Sequence, residues 1–213
     1  MPLSPSTPRT QLHTRDIQIK GYEREDGLFD IEAQLTDTKT YGFDNEHRGF
    51  VEPGRPLHGM WVRLTVNDRM VIVAAEAVTD HGPYHSCGGG ALSYANLVGL
   101  RIQAGFLREA NARMRGPAGC THLREMLQEI ATTALQTMWP VRERRAEAAR
   151  AAARAAGAAM PERDEADGSA RLLDTCYAYA SDGQVVQERW PQHFTGGGRV
   201  AADQLIAAAS SGD

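Results

Sequence analysis

Hydrophobic and polar residues alternate along four segments in the first half of the chain. The clearest is FDIEAQLTDTK (residues 29–39), in which every second residue from Phe29 to Leu35 is apolar and the others are polar. A period of two is typical of a strand that buries one face. The same period predicts strands in HTRDIQIKGY, LHGMWVRLTV and MVIVAAEAVT. Asn67-Asp68 lies between the last two and predicts a two-residue hairpin loop. These strands predict an antiparallel sheet covered on one side.

A different period follows, with apolar residues three and four positions apart. A buried helix is predicted over residues 97–115, ending at Gly116-Pro117. A second helix is predicted from Gly119 to Pro140. Its apolar stripe consists of Leu123, Met126, Leu127, Ile130, Ala134 and Met138. Together the two patterns predict an α+β fold, in which two main helices pack on one face of an antiparallel sheet.

The remaining segments extend a single predicted α+β domain that covers residues 11–195. Residues 141–169 begin with an Ala/Arg-rich run that has high helix propensity and few large apolar residues, so they predict a solvated helical extension and linker. LLDTCYAYA, a turn at Ser181-Asp182-Gly183, and QVVQERW predict a C-terminal hairpin. Residues 1–10 are predicted to be a disordered N-terminus and residues 196–213 a flexible tail.

Composition and charge limit the kinds of molecule that the protein is expected to bind. The formal net charge is -4 and no basic stripe is present, which argues against nucleic-acid binding. The longest apolar runs are far too short to span a bilayer, and MPLSPSTPRTQ is unlike a signal peptide. The three cysteines are widely spaced, which fits a reducing compartment. We therefore expect a cytoplasmic protein with a small-molecule substrate, no nucleic acid and no membrane partner, and the sequence leaves a homo-oligomer open.

Three polar residues fall on the predicted apolar faces. Continuing the alternation places Asp37 and Lys39 on the apolar side of the second strand and His58 on that of the third. Polar groups in a core need partners, and antiparallel pairing brings these three to one end of the sheet. If residues 66 and 69 flank the hairpin loop, position 58 lies opposite position 77. The segment TDHGPYHSC, which follows position 77, then begins close to His58. This predicts an acid–base cluster. The alternative is a structural Asp37–Lys39 ion pair, with His58 bonded to backbone.

A second cluster, Cys120 and His122, stands at the predicted start of the second helix. A helix N-terminus favours a thiolate or a bound anion, although an inert buried cysteine is the alternative. The ligand types also suit zinc or iron, but the chain has neither a CxxC pair nor an HExxH helix. That metal set would be His58, Cys87, Cys120, His122 and Cys176. Whether the two clusters share one site is left open by the sequence.

Five blocks of the sequence resemble a bacterial domain family of unknown function. They are DGLFDIEAQLTDTK, GRPLHGMWVRLTV, PYHSC, GPAGCTHLREML and LLDTCYAY, and they extend over about residues 13 to 190. The resemblance implies one compact domain in mainly proteobacterial proteins, some in the context of aromatic-compound breakdown, and hence a catabolic enzyme. Its blocks contain Asp26, Asp30, Glu32, Asp37, Lys39, His58, Cys87, Cys120 and His122.

The leading hypothesis is a cofactor-independent lyase or hydrolase that acts on a small oxygenated compound. Aromatic compounds are among the candidate substrates. In it, His58 is the general base or acid, Asp37 orients it, and Lys39 stabilises developing negative charge. A lyase is favoured over acyl transfer because no nucleophile-elbow motif is present. The candidate catalytic residues are Asp37, Lys39, His58, Tyr84, Cys120 and His122. Two alternatives stay open: a Cys/His metalloprotein that binds zinc or iron, and a non-catalytic accessory or assembly factor.

Overall fold

The four alternating segments form one antiparallel sheet. The structure is a computed structural model that describes residues 3–158 and 172–196. Its strands are β1 (His13–Glu23), β2 (Phe29–Lys39), β3 (Phe43–Asn45), β4 (Gly49–Val51), β5 (His58–Val66) and β6 (Ile72–His81). The main sheet has the order β1-β2-β5-β6, and β3 and β4 form a separate hairpin. With helices on one face of this sheet, the predicted α+β class is confirmed.

The alternation in β2 coincides with burial. Phe29, Ile31, Ala33 and Leu35 are at most 1% exposed, and the residues between them are partly exposed. β5 contributes Met60, Val62, Leu64 and Val66 to the same core. The apolar face of the sheet therefore forms one side of the core, and most residues of its polar face are partly or fully exposed.

The loop between β5 and β6 is longer than predicted. Val66 pairs with Ile72, so residues 67–71 form the loop. The side-chain oxygen of Asn67 accepts hydrogen bonds from the backbone N–H groups of Arg69 and Val71, and Met70 has φ 63°. The predicted pairing of position 58 with 77 is therefore wrong, because the longer loop and two register shifts place His81 opposite Gly59.

The hairpin of β3 and β4 was not predicted. Each strand has three residues, which is too short for an alternation to be visible. Arg48, next to β4, donates to the carbonyls of Pro56 and Leu57. The N–H of Leu57 in turn bonds to the carbonyl of Asp37, so this segment is tied to the end of β2.

Helices cover the apolar face of the sheet. They are a 3-10 segment (His85–Leu97), α1 (Phe106–Met114), α2 (Thr121–Glu125) and α3 (Leu127–Ala155). The predicted helix over 97–115 is wrong in its first half, because Gly99 and Gly105 adopt φ of +86° and +88°. The predicted second helix is interrupted at Met126 and continues past Pro140, which lies on its exposed side.

The first compact unit comprises residues 1–148 and contains the whole sheet; the second comprises residues 149–213. In its described part, the second unit has α4 (Gln184–Arg189) between two short 3-10 turns. The predicted C-terminal hairpin is therefore wrong. The side chains of Gln184 and Glu188, four residues apart, hydrogen-bond at 2.7 Å, a spacing that favours helix over strand.

Most of the predicted linker and tail, residues 159–169 and 197–213, lies outside the described residues. Within residues 3–158 and 172–196, no helix combines the length and apolarity that a membrane crossing requires.

Candidate active site

Asp37 is the centre of a buried polar cluster at one end of the sheet. It is 1% exposed, and each of its carboxylate oxygens has two partners. Oδ1 accepts from Arg15 Nε at 2.8 Å and lies 3.1 Å from His13 Nε2. Oδ2 accepts from Arg15 Nη2 at 2.8 Å and lies 2.9 Å from His58 Nδ1. The two parallel bonds from Arg15 form a bidentate pair, the strongest arrangement for a buried carboxylate.

Strand register brings these groups together. Arg15 pairs with Asp37 across β1 and β2, and Asp37 pairs with His58 across β2 and β5. Directly opposed residues share a face of the sheet, so all three side chains lie on the core side. The predicted meeting of Asp37 and His58 at one sheet end is confirmed by this register. Arg15 and His13 were missed, although they share the side of Ile17 and Ile19 in the alternation of β1.

Asp37 is ionised at neutral pH. Burial acts to raise its pKa, but the hydrogen bond and charge of Arg15, followed by those of His58, outweigh burial and hold the pKa at about 2. An ionised carboxylate has no proton to donate. The hydrogen between Oδ2 and His58 must therefore be on Nδ1, which leaves the lone pair of a neutral His58 on Nε2.

His58 is neutral at pH 7. Burial lowers its pKa, and the neighbouring imidazole of His122 lowers it further, whereas Asp37 acts in the opposite direction. The residue is 8% exposed. A neutral, oriented imidazole with its Nε2 lone pair available is the form that accepts a proton or ligates a metal.

His122 and Cys120 complete the cluster, so the two groups of candidates meet. The ring of His122 stacks on that of His58 with 3.8 Å between centroids and a tilt of 32°. Cys120 Sγ lies 3.9 Å from His122 Nδ1. The predicted helix-dipole effect on Cys120 has little basis, because α2 has only five residues and few aligned peptide dipoles.

Two contacts hold α2 over the sheet. Arg15 Nη1 donates to Glu125 at 2.7 Å and so joins β1 to the end of α2. Tyr94 of the 3-10 segment donates its hydroxyl to the Leu123 carbonyl at 2.6 Å. Burial raises the pKa of Tyr94, so the hydroxyl stays protonated as the donor. These contacts fix the position of His122 relative to His58.

Lys39 and Tyr84 have other partners. Lys39 Nζ lies 3.1 Å from the Tyr41 hydroxyl and 5.2 Å from the centre of that ring. The alternative Asp37–Lys39 ion pair is therefore not formed, because Arg15 occupies both carboxylate oxygens. Tyr84 is 57% exposed and packs against His47, with 5.2 Å between ring centroids.

One group of potential metal ligands occurs among the described residues. Asp37, His58 and His122 each offer a ligand atom, and these atoms lie within 4.8 Å of one another. Three residues that the sequence suggested as ligands, Cys87, Cys120 and Cys176, are not in this group. Cys87 instead packs against Gly82. Both oxygens of Asp37 are already engaged, so the carboxylate is better placed to orient His58 than to bind an ion directly.

Two surface clefts lie away from this cluster. One of about 270 Å³ is on the outer face of the sheet and is lined by Glu32, Trp61, Arg63 and Glu76, among others. The other, of about 410 Å³, lies beside β1 and is lined by Ile17, Ile19, Glu129 and Thr133. Neither contains His58, and the low exposure of His58 restricts access to its ring edge.

Comparison with known proteins supports part of the resemblance seen in the sequence, because the matched residues contain four of its five blocks and not LLDTCYAY. No curated protein and no solved structure matches the chain. Residues 13–136 match one family, described as protein of unknown function (DUF2889). The match begins at His13 and ends within α3, so it includes every residue of the Asp37 cluster. The chain belongs to this family of unknown function.

Proposed function

We propose that this chain is an acid–base enzyme, a lyase or a hydrolase, in which His58 transfers a proton at a small oxygenated substrate. The observation that carries the proposal is the 2.9 Å contact between His58 Nδ1 and Asp37 Oδ2. Asp37 is buried, ionised and saturated with donors, so it works as a positioning residue that fixes the tautomer and orientation of His58. This is the role that a buried carboxylate has beside a catalytic imidazole.

The proton transfer can be written for both reaction types. In the lyase form, His58 Nε2 accepts the proton of a C–H bond beside a carbonyl. The electron pair of that bond forms a double bond, and an oxygen leaving group departs from the next carbon and takes the proton from the His58 imidazolium. In the hydrolase form, Nε2 accepts the proton of a water that attacks a carbonyl carbon of the substrate; the bond from that carbon to the leaving oxygen then breaks, and the leaving oxygen takes the proton from the imidazolium. In both, the imidazolium that forms is stabilised by the charge of Asp37.

The surroundings of His58 favour a small substrate. Its side chain is 11% exposed, and His122 covers one face of the ring. A compact oxygenated acid reaches the edge of the His58 ring more easily than a polymer does. Aromatic acids are among the candidates. His122 stacks on this ring and Cys120 contacts His122, so the two side chains are candidates for a second acid–base pair. Three free cysteines support the reducing cytoplasm as the location.

The test combines a ligand screen with matched histidine variants. A ligand at 100 times its dissociation constant adds about 2.7 kcal/mol of stability, so a thermal-shift screen of small oxygenated acids detects binding. Compounds that bind are then assayed for turnover with wild type, His58→Gln and His47→Gln. His47 is an exposed imidazole that contacts Tyr84 and is the control. We expect His58→Gln to abolish turnover and His47→Gln to retain it; equal turnover in both variants contradicts the proposal.

A metal centre is the second candidate, favoured by the three converging ligand atoms of Asp37, His58 and His122. Elemental analysis of protein purified without chelators decides this. Stoichiometric zinc or iron that is lost in His122→Gln and kept in His47→Gln would replace the cofactor-independent mechanism. In that case His58 Nε2 is a ligand, with Asp37 as its hydrogen-bonded support. If no metal and no ligand is found, the accessory-factor hypothesis takes precedence.

A further inference from the structure

The outer edge of β1 is open in the described part of the chain. β1 pairs with β2 along all eleven of its residues without a register shift, and no described strand pairs with its other edge. Only Thr14 and Ile19 of β1 are partly covered; the rest are exposed. A long, regular, exposed edge presents a row of unpaired N–H and C=O groups to another strand.

The opposite edge of the sheet is covered where β6 begins. The backbone of residues 99–102 hydrogen-bonds to Met70 and Ile72, beside β6. Val71 also forms an isolated bridge with Arg101. β6 has register shifts in its pairing with β5, whereas β1 has none with β2. Bulges and covering loops are the usual ways to block an edge, and in the described chain β1 has neither.

We infer that a second copy of this chain pairs antiparallel with β1, about a twofold axis at Gln18. The sequence of β1 is self-complementary in this register. Asp16 lies opposite Lys20 of the second copy, and Ile17 lies opposite Ile19 of the second copy. By symmetry each pair occurs twice, and Gln18 lies opposite itself. Opposite charges and β-branched residues are favourable cross-strand pairs.

The register is selected by charge and by the side of the sheet. A shift by two residues places Asp16 opposite Gln18 or Tyr22, and both Asp16–Lys20 pairs are lost. The shift towards Tyr22 sets Arg15 opposite Glu23, but Arg15 is already paired with Asp37 and Glu125. With the twofold axis at Gln18, residues on the core side of one β1 strand lie opposite residues on the core side of the other. The two sheets therefore join with their helices on the same face. The cleft at this edge, of about 410 Å³, exposes Ile17 by 38%, and the isoleucines of the second copy would cover it.

Charge reversal tests this pairing. Light scattering after size exclusion, over a concentration series, gives the mass of wild type, Asp16→Lys, Lys20→Asp and the double variant. We expect a dimer for wild type, dissociation for each single variant because like charges face each other, and a restored dimer for the double variant. Asp68→Lys makes the same charge change in the exposed β5–β6 loop and is the control that remains dimeric.

A cysteine at the axis tests the register independently. Gln18→Cys places two thiols directly opposite, at a Cα separation of about 4.5–5.5 Å, which a disulfide spans. Mild oxidation should cross-link Gln18→Cys into a covalent dimer, whereas Tyr22→Cys, four residues from the axis, should not cross-link. The inference is overturned by a monomeric wild type, by a dimer that neither single variant weakens, or by a double variant that stays monomeric. None of these outcomes depends on the chemistry at His58.

Discussion

Asp37 Oδ2 and His58 Nδ1 lie 2.9 Å apart, across neighbouring strands and on the core-facing side of the sheet. The pair gives His58 a defined tautomer and leaves its Nε2 lone pair available. Arg15 offsets the free-energy cost of burying the Asp37 carboxylate, because its guanidinium neutralises that charge through two parallel hydrogen bonds. Orientation of the imidazole thus depends on a carboxylate, and the carboxylate depends on an arginine from the edge strand.

Removing the charge of Asp37 should destabilise the fold. Asp37→Asn keeps the shape but weakens the bonds to Arg15, His13 and His58, and we expect a loss of about 2 kcal/mol in the free energy of unfolding. Urea denaturation measures this change. Asp26→Asn is the control, since Asp26 pairs with Arg24 at an exposed site where an ion pair contributes little. An equal effect of the two substitutions would contradict the assigned role of Asp37.

The effect of Asp37 should depend on pH. Its folded pKa of about 2 is below its ordinary value of 3.8, so the unfolded chain takes up the proton first as the pH falls. The stabilisation is fully present above about pH 5 and declines as the pH falls through 3.8 towards 2. The difference in unfolding free energy between wild type and Asp37→Asn should therefore shrink as the pH falls from 4 towards 2. A difference that grows as the pH falls from 4 towards 2 is the contrary result.

The buried charge of Asp37 should be stabilised by Arg15 and not by Lys39. Arg15→Ala removes the bidentate partner and leaves a buried carboxylate, so we expect a loss of about 2–3 kcal/mol. Arg15→Lys should restore only part of it, because an ammonium cannot make the paired bonds. Lys39→Ala should change stability little, since its ammonium group contacts Tyr41. Chemical denaturation of the three variants gives the ranking, and a larger loss for Lys39→Ala would show that Lys39 is the true partner.

Gly90 should matter because it lies directly against Cys120. A Cβ at Gly90 would lie 2.8 Å from the Cβ of Cys120 and 3.3 Å from its backbone nitrogen, so the backbone must move. We expect Gly90→Ala to cost about 1–3 kcal/mol and to disturb the contact between His122 and His58. Gly88→Ala, in the same 3-10 segment, meets nothing within 4 Å and is the matched control. Similar melting temperatures for the two variants would refute the close packing.

The alternation of apolar residues is enough to predict most of the sheet and two members of the cluster, Asp37 and His58. In β2 and β5 one face is almost wholly apolar, so Asp37 and His58 stand out as exceptions to a clear pattern. Arg15 and His13 do not stand out, because β1 is an exposed edge strand with polar residues on both faces. An exception can be recognised only where the surrounding pattern is strong.

The rest of the site depends on contacts that local patterns do not contain. His122 reaches His58 because Arg15–Glu125 and Tyr94–Leu123 fix α2 over the sheet, and these pairs are far apart in sequence. The predicted two-residue loop after β5 is also too short. Asn67-Asp68 has the composition of a two-residue turn, but the side chain of Asn67 bonds to two backbone N–H groups and so stabilises a five-residue loop over residues 67–71.

The central claim is that His58 is a neutral base, protonated on Nδ1 and held by Asp37. Nitrogen-15 NMR of the histidine side chains at pH 7.5, with His58 assigned from the spectrum of His58→Gln, tests it directly. We predict a neutral His58 in the Nδ1–H tautomer, with a hydrogen-bonded Nδ1 proton that loses its downfield shift in Asp37→Asn. A His58 that carries its proton on Nε2, or that is an imidazolium at this pH, would contradict the account.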